Sequence, residues 1–500
     1  MKRQKFFAVT LMLLFGLALA SCKKDAEPLL ITDAQEPFQI TEDEESTSFN
    51  DIEDSELVSL IAKDTFLSKD ADNRCRAAYV CESEKRIYFI AMPKNLERYY
   101  EPFNKYVFFI DKETGDSGYL CGKEGCLHDS RDCGAYISDK RLTQFSLYDG
   151  KLYAAFTDVH DGLTDIVLMC GETNGTGFTE LGIIPADAYA VNPDQANATV
   201  CFHRGYFYTA STENVYENTG SNAGNGSEDA DSTRFRYPFI TEETGLVKRF
   251  RLDNLNISEE LYSETLNEYR QSANLLVYPD KEDVYIIWEF ENDDEERSLM
   301  KSEGALWVYC IRDGEAREEL FKGEIPISLN GGVHISDGEV KIAGRNYTND
   351  RAQLLVLDQD KKAFRELQTF ESFTELDNYY GSYVDYGDGY YVMMQDLVVG
   401  LPPEKNVTAG NLVLQFFSEN GGLLGKRTLN VAETMESLHL MPAGFGQYMM
   451  FYMNRFACDR DYFYGMLNIT GEYNSVYQAV LRIPVDDEEP WQVMFEKKLK

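Results

Sequence analysis

The sequence predicts an all-β protein, a β-propeller of seven four-stranded antiparallel blades that follows a signal peptide and an acidic linker. Three observations support this fold class. A unit of two short hairpins recurs seven times along the chain, at intervals of roughly 50 to 77 residues. Its strands alternate apolar and polar residues and are joined by turns rich in Gly, Asp and Asn. The chain has 32 tyrosines and 30 phenylalanines but only 3 tryptophans, and Tyr and Phe favour half-buried pleated surfaces.

Residues 1–21 are interpreted as a lipoprotein signal peptide. A basic start is followed by an apolar run over residues 6–19, which is too short for a membrane span. The small residues Ala20 and Ser21 then lead directly into Cys22. This junction resembles the lipobox of bacterial lipoproteins, which implies that Cys22 is diacylated and becomes the mature N-terminus. Two acyl chains anchor a protein stably, because each buried methylene contributes about 0.8 kcal/mol. The alternative is a plain secretory signal in which Cys22 is incidental.

Residues 22–64 are interpreted as the lipidated Cys22 plus an acidic flexible linker. No Lys or Arg occurs from Asp25 to Ala62, whereas Asp and Glu are frequent there. Like charges repel and extend a chain, so this segment is expected to hold the folded domain away from the membrane. A calcium-binding tail is the alternative, but the carboxylates lack the loop spacing and glycine of such sites.

Residues 65–500 are expected to form the propeller, with two hairpins in each blade. The inner hairpins fall at residues 80–89, 147–153, 200–208, 277–285, 335–341, 386–391 and 444–449. The outer hairpins fall at residues 108–115, 167–175, 248–253, 306–314, 354–360, 413–421 and 480–486. A single four-stranded blade cannot bury both faces, so the copies are expected to stack around an axis. A pair of β-sandwiches or two separate all-β domains is the alternative.

Three segments stand apart from the repeat. Residues 211–236 are rich in Asn, Gly, Ser and acidic residues, which predicts a flexible insert in the third blade. Asn256 with Glu259 three positions later predicts a helix start within residues 256–272, between blades three and four. Residues 491–495 are expected either to form the last strand or to pair with residues 65–67 and close the ring.

The sharpest candidate site is the Cys/His loop, residues 121–133. Cys121, Cys126, His128 and Cys133 make up the ligand set of a closed tetrahedral site for a structural zinc, which leaves no position open for a substrate. Cys126 and His128 are two positions apart, so in an extended segment both project to one side. The spacing C-x4-C-x-H-x4-C differs from the common zinc fingers. A disulfide is the alternative, since disulfides persist outside the cytoplasm. Disulfide bonds would leave at least one of the nine cysteines other than Cys22 unpaired, because their number is odd.

Together with the lipobox and the repeats, this loop resembles a family of propeller lipoproteins from anaerobic gut bacteria, mostly clostridial. These proteins carry a segment of the form Cys-Gly-Lys-Pro-x-Cys-x-His, followed by Cys-Asn-Ala. The residues that match are Cys121, Gly122, Lys123, Cys126, His128, Cys133 and Ala135. Glu124 and Gly134 stand where the family has proline and asparagine. The resemblance implies the fold and the location but no activity. Residues 21–25 also resemble the junction of Bacteroidetes lipoproteins, so the type of envelope stays open.

Composition and motifs favour a binding protein. The formal charge of −37 disfavours nucleic acid as a partner. The sequence has no Gly-x-Ser-x-Gly elbow, P-loop or dinucleotide fingerprint, and we assign no catalytic residue. His203 lies in a hairpin turn and His334 beside one, so both are expected to be exposed to solvent.

The leading hypothesis is a monomeric, non-enzymatic binding module in the bacterial cell envelope. Cys22 would anchor it to the membrane with its folded domain outside the cytoplasm, and its partner would be a protein, a peptide or a glycan. Two alternatives come from other classes of function. One is a propeller-type glycan lyase or hydrolase with its acid and base near the central axis. The other is a surface lipoprotein that binds or senses metal through the Cys/His loop.

Overall fold

The computed structural model describes thirteen segments of the folded domain: residues 79–91, 104–193, 198–216, 240–266, 272–291, 305–312, 316–327, 333–346, 351–370, 379–400, 411–430, 448–470 and 475–498, the last with a gap at 487–490. The predictions for the signal peptide, for Cys22 and for the acidic linker concern residues outside these segments. No helix in the described part of the chain is both long enough and apolar enough to span a bilayer.

The protein is a seven-bladed β-propeller of four-stranded antiparallel sheets, as the repeat predicts. Within each blade, the four principal strands pair in the order in which they follow one another in the chain. Each blade is therefore built from one continuous segment, and its tight turns carry left-handed residues such as Asp149 and Gly150 in the inner turn of blade 2.

Blades 1 to 3 lie between residues 80 and 266, and a fifth strand extends blade 1. Their strands are β1 (Val80–Glu82), β2 (Arg86–Ala91), β3 (Lys105–Asp111), β4 (Ser117–Tyr119) and β5 (Tyr136–Ser138); β6 (Arg141–Tyr148), β7 (Lys151–His160), β8 (Leu163–Glu172) and β9 (Phe178–Ile184); and β10 (Ala198–His203), β11 (Tyr206–Tyr216), β12 (Ile240–Arg251) and β13 (Asn254–Leu266). A single turn of helix, α1 (Ala186–Tyr189), connects blade 2 to blade 3.

Blades 4 to 7 lie between residues 272 and 498. Their strands are β14 (Ser272–Asp280), β15 (Asp283–Glu291), β16 (Ala305–Ile311) and β17 (Glu318–Glu324); β18 (Val333–Ser336), β19 (Glu339–Asn346), β20 (Arg351–Asp358) and β21 (Ala363–Thr369); β22 (Tyr379–Tyr386), β23 (Tyr390–Gly400), β24 (Asn411–Ser418) and β25 (Leu423–Asn430); and β26 (Tyr448–Cys458), β27 (Tyr462–Thr470), β28 (Ser475–Pro484) and β29 (Gln492–Lys498).

The core lies between neighbouring blades, so the middle strands are apolar on both faces. In β15, Tyr285 and Ile287 pack into the cluster shared with blade 5, whereas Ile286 and Trp288 pack into the cluster shared with blade 3. Burial on both faces explains why this strand is a continuous hydrophobic run rather than an alternating one. Fully burying each such side chain contributes about 1.5 to 3 kcal/mol.

Blades 7 and 1 meet through side chains and so close the ring. The ring of Phe89 in β2 packs edge-on against Phe456, at 5.2 Å, and against Phe495, at 5.8 Å, measured between ring centroids. Phe495 belongs to β29, which pairs with β28 as the outermost strand of blade 7. The first of the two expectations for residues 491–495 is thus confirmed, and residues 65–67 lie outside the described segments.

Blades 6 and 7 are also joined by their backbones. Strand β23 pairs with β24 over Tyr390–Met394 and then with β26 over Leu397–Gly400. The two blades therefore form one eight-stranded sheet. The repeat does not predict this bridge, because it arises from the length of β23 beyond the part that β24 covers.

Two expectations for blade 3 need correction. Residues 211–216 of the predicted insert continue β11, and the rest of the insert lies outside the described residues. The predicted helix start at Asn256 is wrong, because Asn254–Leu266 forms the outermost strand β13. The exposed backbone edge of β12 pairs with this segment from Arg251 to Glu243, and that ladder outweighs a local capping signal.

Candidate metal centre

The Cys/His loop leaves blade 1 at the end of β4 and returns to it at β5. The loop begins where the N–H of Leu120 donates to the carbonyl of Val107, at 2.8 Å. It ends where β5 pairs with the start of β3. Both ends are therefore held by the same strand, and this brings Cys121 close to Cys133 although twelve positions separate them.

The four predicted ligands converge. One donor atom from each of Cys121, Cys126, His128 and Cys133 lies within 4.8 Å of all the others. Nδ1 of His128 is 3.2 Å from Sγ of Cys133. The donors of a tetrahedral zinc site lie about 3.4 to 3.8 Å apart, given metal–ligand distances near 2.0 to 2.3 Å. The cluster can therefore hold a metal ion with small adjustments of the side chains.

Two features of the local sequence place the histidine. Gly125 has a φ of 68° and His128 a φ of 55°, so the backbone takes a left-handed conformation at two points between Cys121 and Cys133. The imidazole stacks on the ring of Tyr119, with 4.3 Å between the ring centroids and 10° between the planes. Tyr119 therefore holds the imidazole with Nδ1 towards the sulfur atoms.

The electrostatics of the loop favour a thiolate. A hydrogen bond from Cys133 holds the pKa of Cys121 well below its usual value, and hydrogen bonds from His128 and from the backbone at Lys123 and Gly134 act in the same direction. The N–H of Ala135 donates to Sγ of Cys133, at 3.3 Å. Metal ligation needs the thiolate form, so these donors prepare the loop for a cation.

Glycines dock the loop against blade 2. The N–H of Gly122 donates to the carbonyl of Gly175, in the β8–β9 turn, at 2.8 Å. A Cβ atom at Gly134 would lie 2.4 Å from that same oxygen. This close approach gives a physical reason for glycine at position 134.

The remaining described cysteines lie in the blades, and those of the loop form no disulfide in the structure. Cys170 is opposite Tyr153 in blade 2, and Cys310 is opposite Tyr285 in blade 4. The two cysteines thus occupy equivalent positions in their blades. A disulfide in the loop would use two of its three sulfur atoms and would leave the third, beside His128, without a role.

The two histidines expected at the surface are not loop ligands, and one of them is buried. His203 is only 8% exposed, and its Nε2 lies 2.8 Å from the carbonyl oxygen of Lys281 in the inner turn of blade 4. His334 is half-buried and stacks on Tyr386 of blade 6, with ring centroids 4.3 Å apart. Exposure was wrongly expected for His203, because the inner turns of neighbouring blades pack against one another.

A second polar site, not predicted from the sequence, lies over the joint between blades 7 and 1. A cleft of about 570 Å³, here called the seam cleft, is lined mainly by the turns of these two blades. Its centre holds Lys112, whose Nζ is 2.6 Å from Oε2 of Glu82 and 3.7 Å from Oδ2 of Asp459. Glu82 and Lys112 belong to blade 1 and Asp459 belongs to blade 7. The site therefore forms only where the first and last blades meet.

Glu243 in β12 is a buried carboxyl that sequence reasoning also missed. It is 4% exposed, and its Oε1 has no hydrogen-bond partner among the described residues. Burial raises the pKa of Glu243 from 4.5 to about 7. The unfolded chain loses this proton near pH 4.5 and the folded chain keeps it to about pH 7, so stability is expected to fall as the pH rises through that interval.

The Glu243→Gln variant is expected to remove this pH dependence. Relative to the native protein, the variant should gain about 3 kcal/mol in free energy of unfolding between pH 4.5 and pH 7.5. Urea unfolding at a series of pH values measures the difference. Glu242→Gln, at the exposed neighbouring position, is the control and should follow the native protein. Parallel curves for the native protein and Glu243→Gln would contradict the prediction.

Comparisons with known proteins do not assign this chain to a family. No protein-family model matches the sequence, and no curated protein matches it. Among solved structures, the chain is similar to the acylaminoacyl peptidase of Pyrococcus horikoshii, with 10% identity and a TM-score of 0.36 over 82% of this chain and 60% of the peptidase. It thus spans about three fifths of the length of that enzyme.

Two further structures match nearly the whole of their own chains. The β-propeller domain of the Trilobed protease from Pyrococcus furiosus has 9% identity and a TM-score of 0.40, with 85% of this chain and 96% of that domain covered. A PL25 ulvan lyase has 8% identity and a TM-score of 0.45, with 87% of this chain and 97% of the lyase covered. At these values the likenesses assign neither a family nor a function.

Proposed function

We propose that the protein is a lipid-anchored, extracytoplasmic binding module whose propeller is strengthened by one zinc ion in the Cys/His loop. The observation that carries the zinc site is the convergence of the four donor atoms of Cys121, Cys126, His128 and Cys133 within 4.8 Å. Three thiols and one imidazole are the donors that zinc prefers in structural sites.

A zinc ion in the loop would act on the architecture rather than on a substrate. Four protein ligands complete a tetrahedral coordination shell, so no position remains for a reacting water. The loop is tied to β3 at both ends and to Gly175 of blade 2. Fixing the loop therefore fixes the contact between the first two blades.

The binding role is supported by the inner turns, which meet at one face of the ring. Arg204 of blade 3 pairs with Glu282 of blade 4, at 2.6 Å, and Lys281 pairs with Asp337 of blade 5, at 2.5 Å. Turns linked in this way form a preformed polar platform, since each is held by its neighbour. Rigid scaffolds that present loops at one face commonly serve recognition.

The anchor is tested by the full-length protein and a Cys22→Ser variant produced in a bacterial host. We expect the native protein to partition into the detergent phase of a Triton X-114 extract and to carry two or more acyl chains on Cys22, because two lipid chains give stable membrane attachment. Cys22→Ser should appear in the aqueous phase. Cys201→Ser, a change of the same kind in a blade strand, should behave like the native protein. Equal partitioning of the native protein and Cys22→Ser would rule the anchor out.

The zinc is tested on the full-length protein in detergent, purified without added metal under anaerobic conditions. Elemental analysis is expected to find about one zinc per chain, and cobalt substitution should give the absorption of a tetrahedral thiolate site. A metal-free protein in which two of the loop thiols react only after reduction would instead establish the disulfide.

A further inference from the structure

The seam cleft brings together more charged side chains than the ring needs for closure. Six carboxylates and four cationic side chains line it. At its centre, Lys112 is satisfied by Glu82 and Asp459, and Asp459 also accepts a hydrogen bond from the backbone N–H of Tyr462 at 2.8 Å. This central group is complete in itself, and it serves the joint between blades 7 and 1.

Arg482 of β28 has a different environment. Its guanidinium carbon lies 3.7 Å from the centroid of the Tyr462 ring, and its Nε is buried without a hydrogen-bond partner among the described residues. None of the carboxylates in the described part of the chain lies within ion-pair distance of it, although the protein has 85 acidic residues against 48 basic ones. A guanidinium stacked on a ring can still offer its two terminal NH2 groups to a planar acceptor.

The stack makes Arg482 suited to hold a ligand. Tyr464 lies opposite Arg482 in the β27–β28 register, so Tyr462, Tyr464 and Arg482 share one face of blade 7. A carboxylate is the planar acceptor that matches the fork of a guanidinium through two parallel hydrogen bonds. Because the ring already fixes the side chain, binding loses little rotational entropy.

We propose that the seam cleft binds a small polar molecule that carries one carboxylate and several hydroxyl or amine groups. Arg482 would take the carboxylate, and the exposed carboxylates of Glu84, Glu113 and Asp461 would accept hydrogen bonds from the donors of the ligand. The excess of acidic over basic groups selects against polyanions, since every further negative charge would meet like charges. A cleft of about 570 Å³ lies within the size range of small-molecule sites. This inference rests on the binding role proposed above and names the class of ligand.

Such a ligand would also strengthen the ring. It would contact the turns of blade 1 and the face of blade 7 at the joint where, in the described segments, no strand pairing holds the two blades together. Binding to the closed ring alone raises stability by mass action. The thermal midpoint is therefore expected to rise with ligand concentration.

The test is isothermal calorimetry with the full-length protein in detergent and two pairs of probes. D-glucuronate is compared with glucuronamide, and L-lysine with L-lysinamide, so that each acid has a partner without the carboxylate. We expect one acid to bind about tenfold or more tightly than its amide. Glucuronate as the preferred probe would indicate a sugar acid as the ligand, and lysine would indicate an amino acid or a peptide terminus.

Variants of Arg482 test whether its side chain binds the carboxylate of the ligand. Arg482→Gln should weaken binding of the preferred acid about tenfold or more, and Arg482→Lys, which keeps the charge but not the fork, should recover only part of it. Arg249→Gln is the matched control, because Arg249 also stacks on a tyrosine, Tyr206, but lies in blade 3 away from the cleft; this variant should bind like the native protein. Zinc content and thermal midpoint without ligand show that each variant is folded.

Two results would overturn the proposal: binding of an acid that is equal in the native protein and Arg482→Gln, or no binding of either acid at millimolar concentration. Chromatography of the preferred acid after incubation with the protein distinguishes failure of this proposal from failure of the non-enzymatic binding role proposed above. An unchanged acid supports the binding role. Consumption of the acid that depends on Arg482 would support the site and overturn the non-enzymatic role.

Discussion

The Cys133→Ser variant is expected to lose its zinc completely, from about one ion per chain to about none. Cys133 is buried and lies beside His128 in the cluster, and the hydroxyl of serine is a poor substitute for a thiolate ligand. Because folding and metal binding are coupled at such sites, the loop around residues 121–135 should become sensitive to proteases and the thermal midpoint should fall. Elemental analysis and limited proteolysis measure the two effects.

Cys170→Ser is the matched control for the loss of zinc. It makes the same chemical change in blade 2, where the half-buried Cys170 lies opposite Tyr153. This variant should keep its zinc and its resistance to protease. If Cys133→Ser retained a full equivalent of zinc, the Cys/His loop would not be the site.

The Lys112→Met variant is expected to lower the free energy of unfolding by about 3 to 5 kcal/mol. The side chains of Lys112 and Glu82 are only 8% and 4% exposed, and Nζ donates to Oε2 at 2.6 Å. Without Lys112, the carboxylate of Glu82 stays buried at the joint of blades 7 and 1 and loses the ammonium group that lies 2.6 Å from it. Denaturant unfolding monitored by circular dichroism measures the loss.

Two further variants test the cause. Adding Glu82→Gln to Lys112→Met removes the stranded charge and should restore at least half of the lost stability. Lys151→Met breaks an exposed pair with Glu172, at 3.7 Å, and should cost less than about 1 kcal/mol. A double variant no more stable than Lys112→Met would show that packing, rather than charge, explains the loss.

The fold could be predicted because its signals are local. Turns such as Asp149–Gly150 and Asp337–Gly338 adopt left-handed conformations, and the sequence marks them before any partner strand is known. The helix predicted from Asn256 was wrong for the opposite reason, since the free edge of β12 decided the structure of that segment. The bridge from β23 to β26 is likewise a tertiary event without a sequence signal.

The candidate sites also differ in whether their residues are close together in the sequence. The Cys/His loop could be found because its four ligands lie within thirteen residues, and spacing alone suggests a cluster. The seam cleft could not, since Lys112 meets Asp459 and shares a cleft with Arg482 only where blades 7 and 1 come together. No spacing rule relates residues that far apart. Burial of Glu243 was equally invisible, because its neighbours in sequence are polar.

The continuous sheet of blades 6 and 7 has a consequence for how the ring deforms. Parting these two blades means breaking the backbone ladder from Leu397 to Gly400, whereas the other joints of the described ring carry no pairing of strands between blades. Blades 6 and 7 should therefore move as one rigid body when the ring breathes. The joint between blades 7 and 1, where Lys112 and Arg482 line the seam cleft, lies at one edge of this rigid pair and, among the described strands, has no strand pairing that would resist its opening.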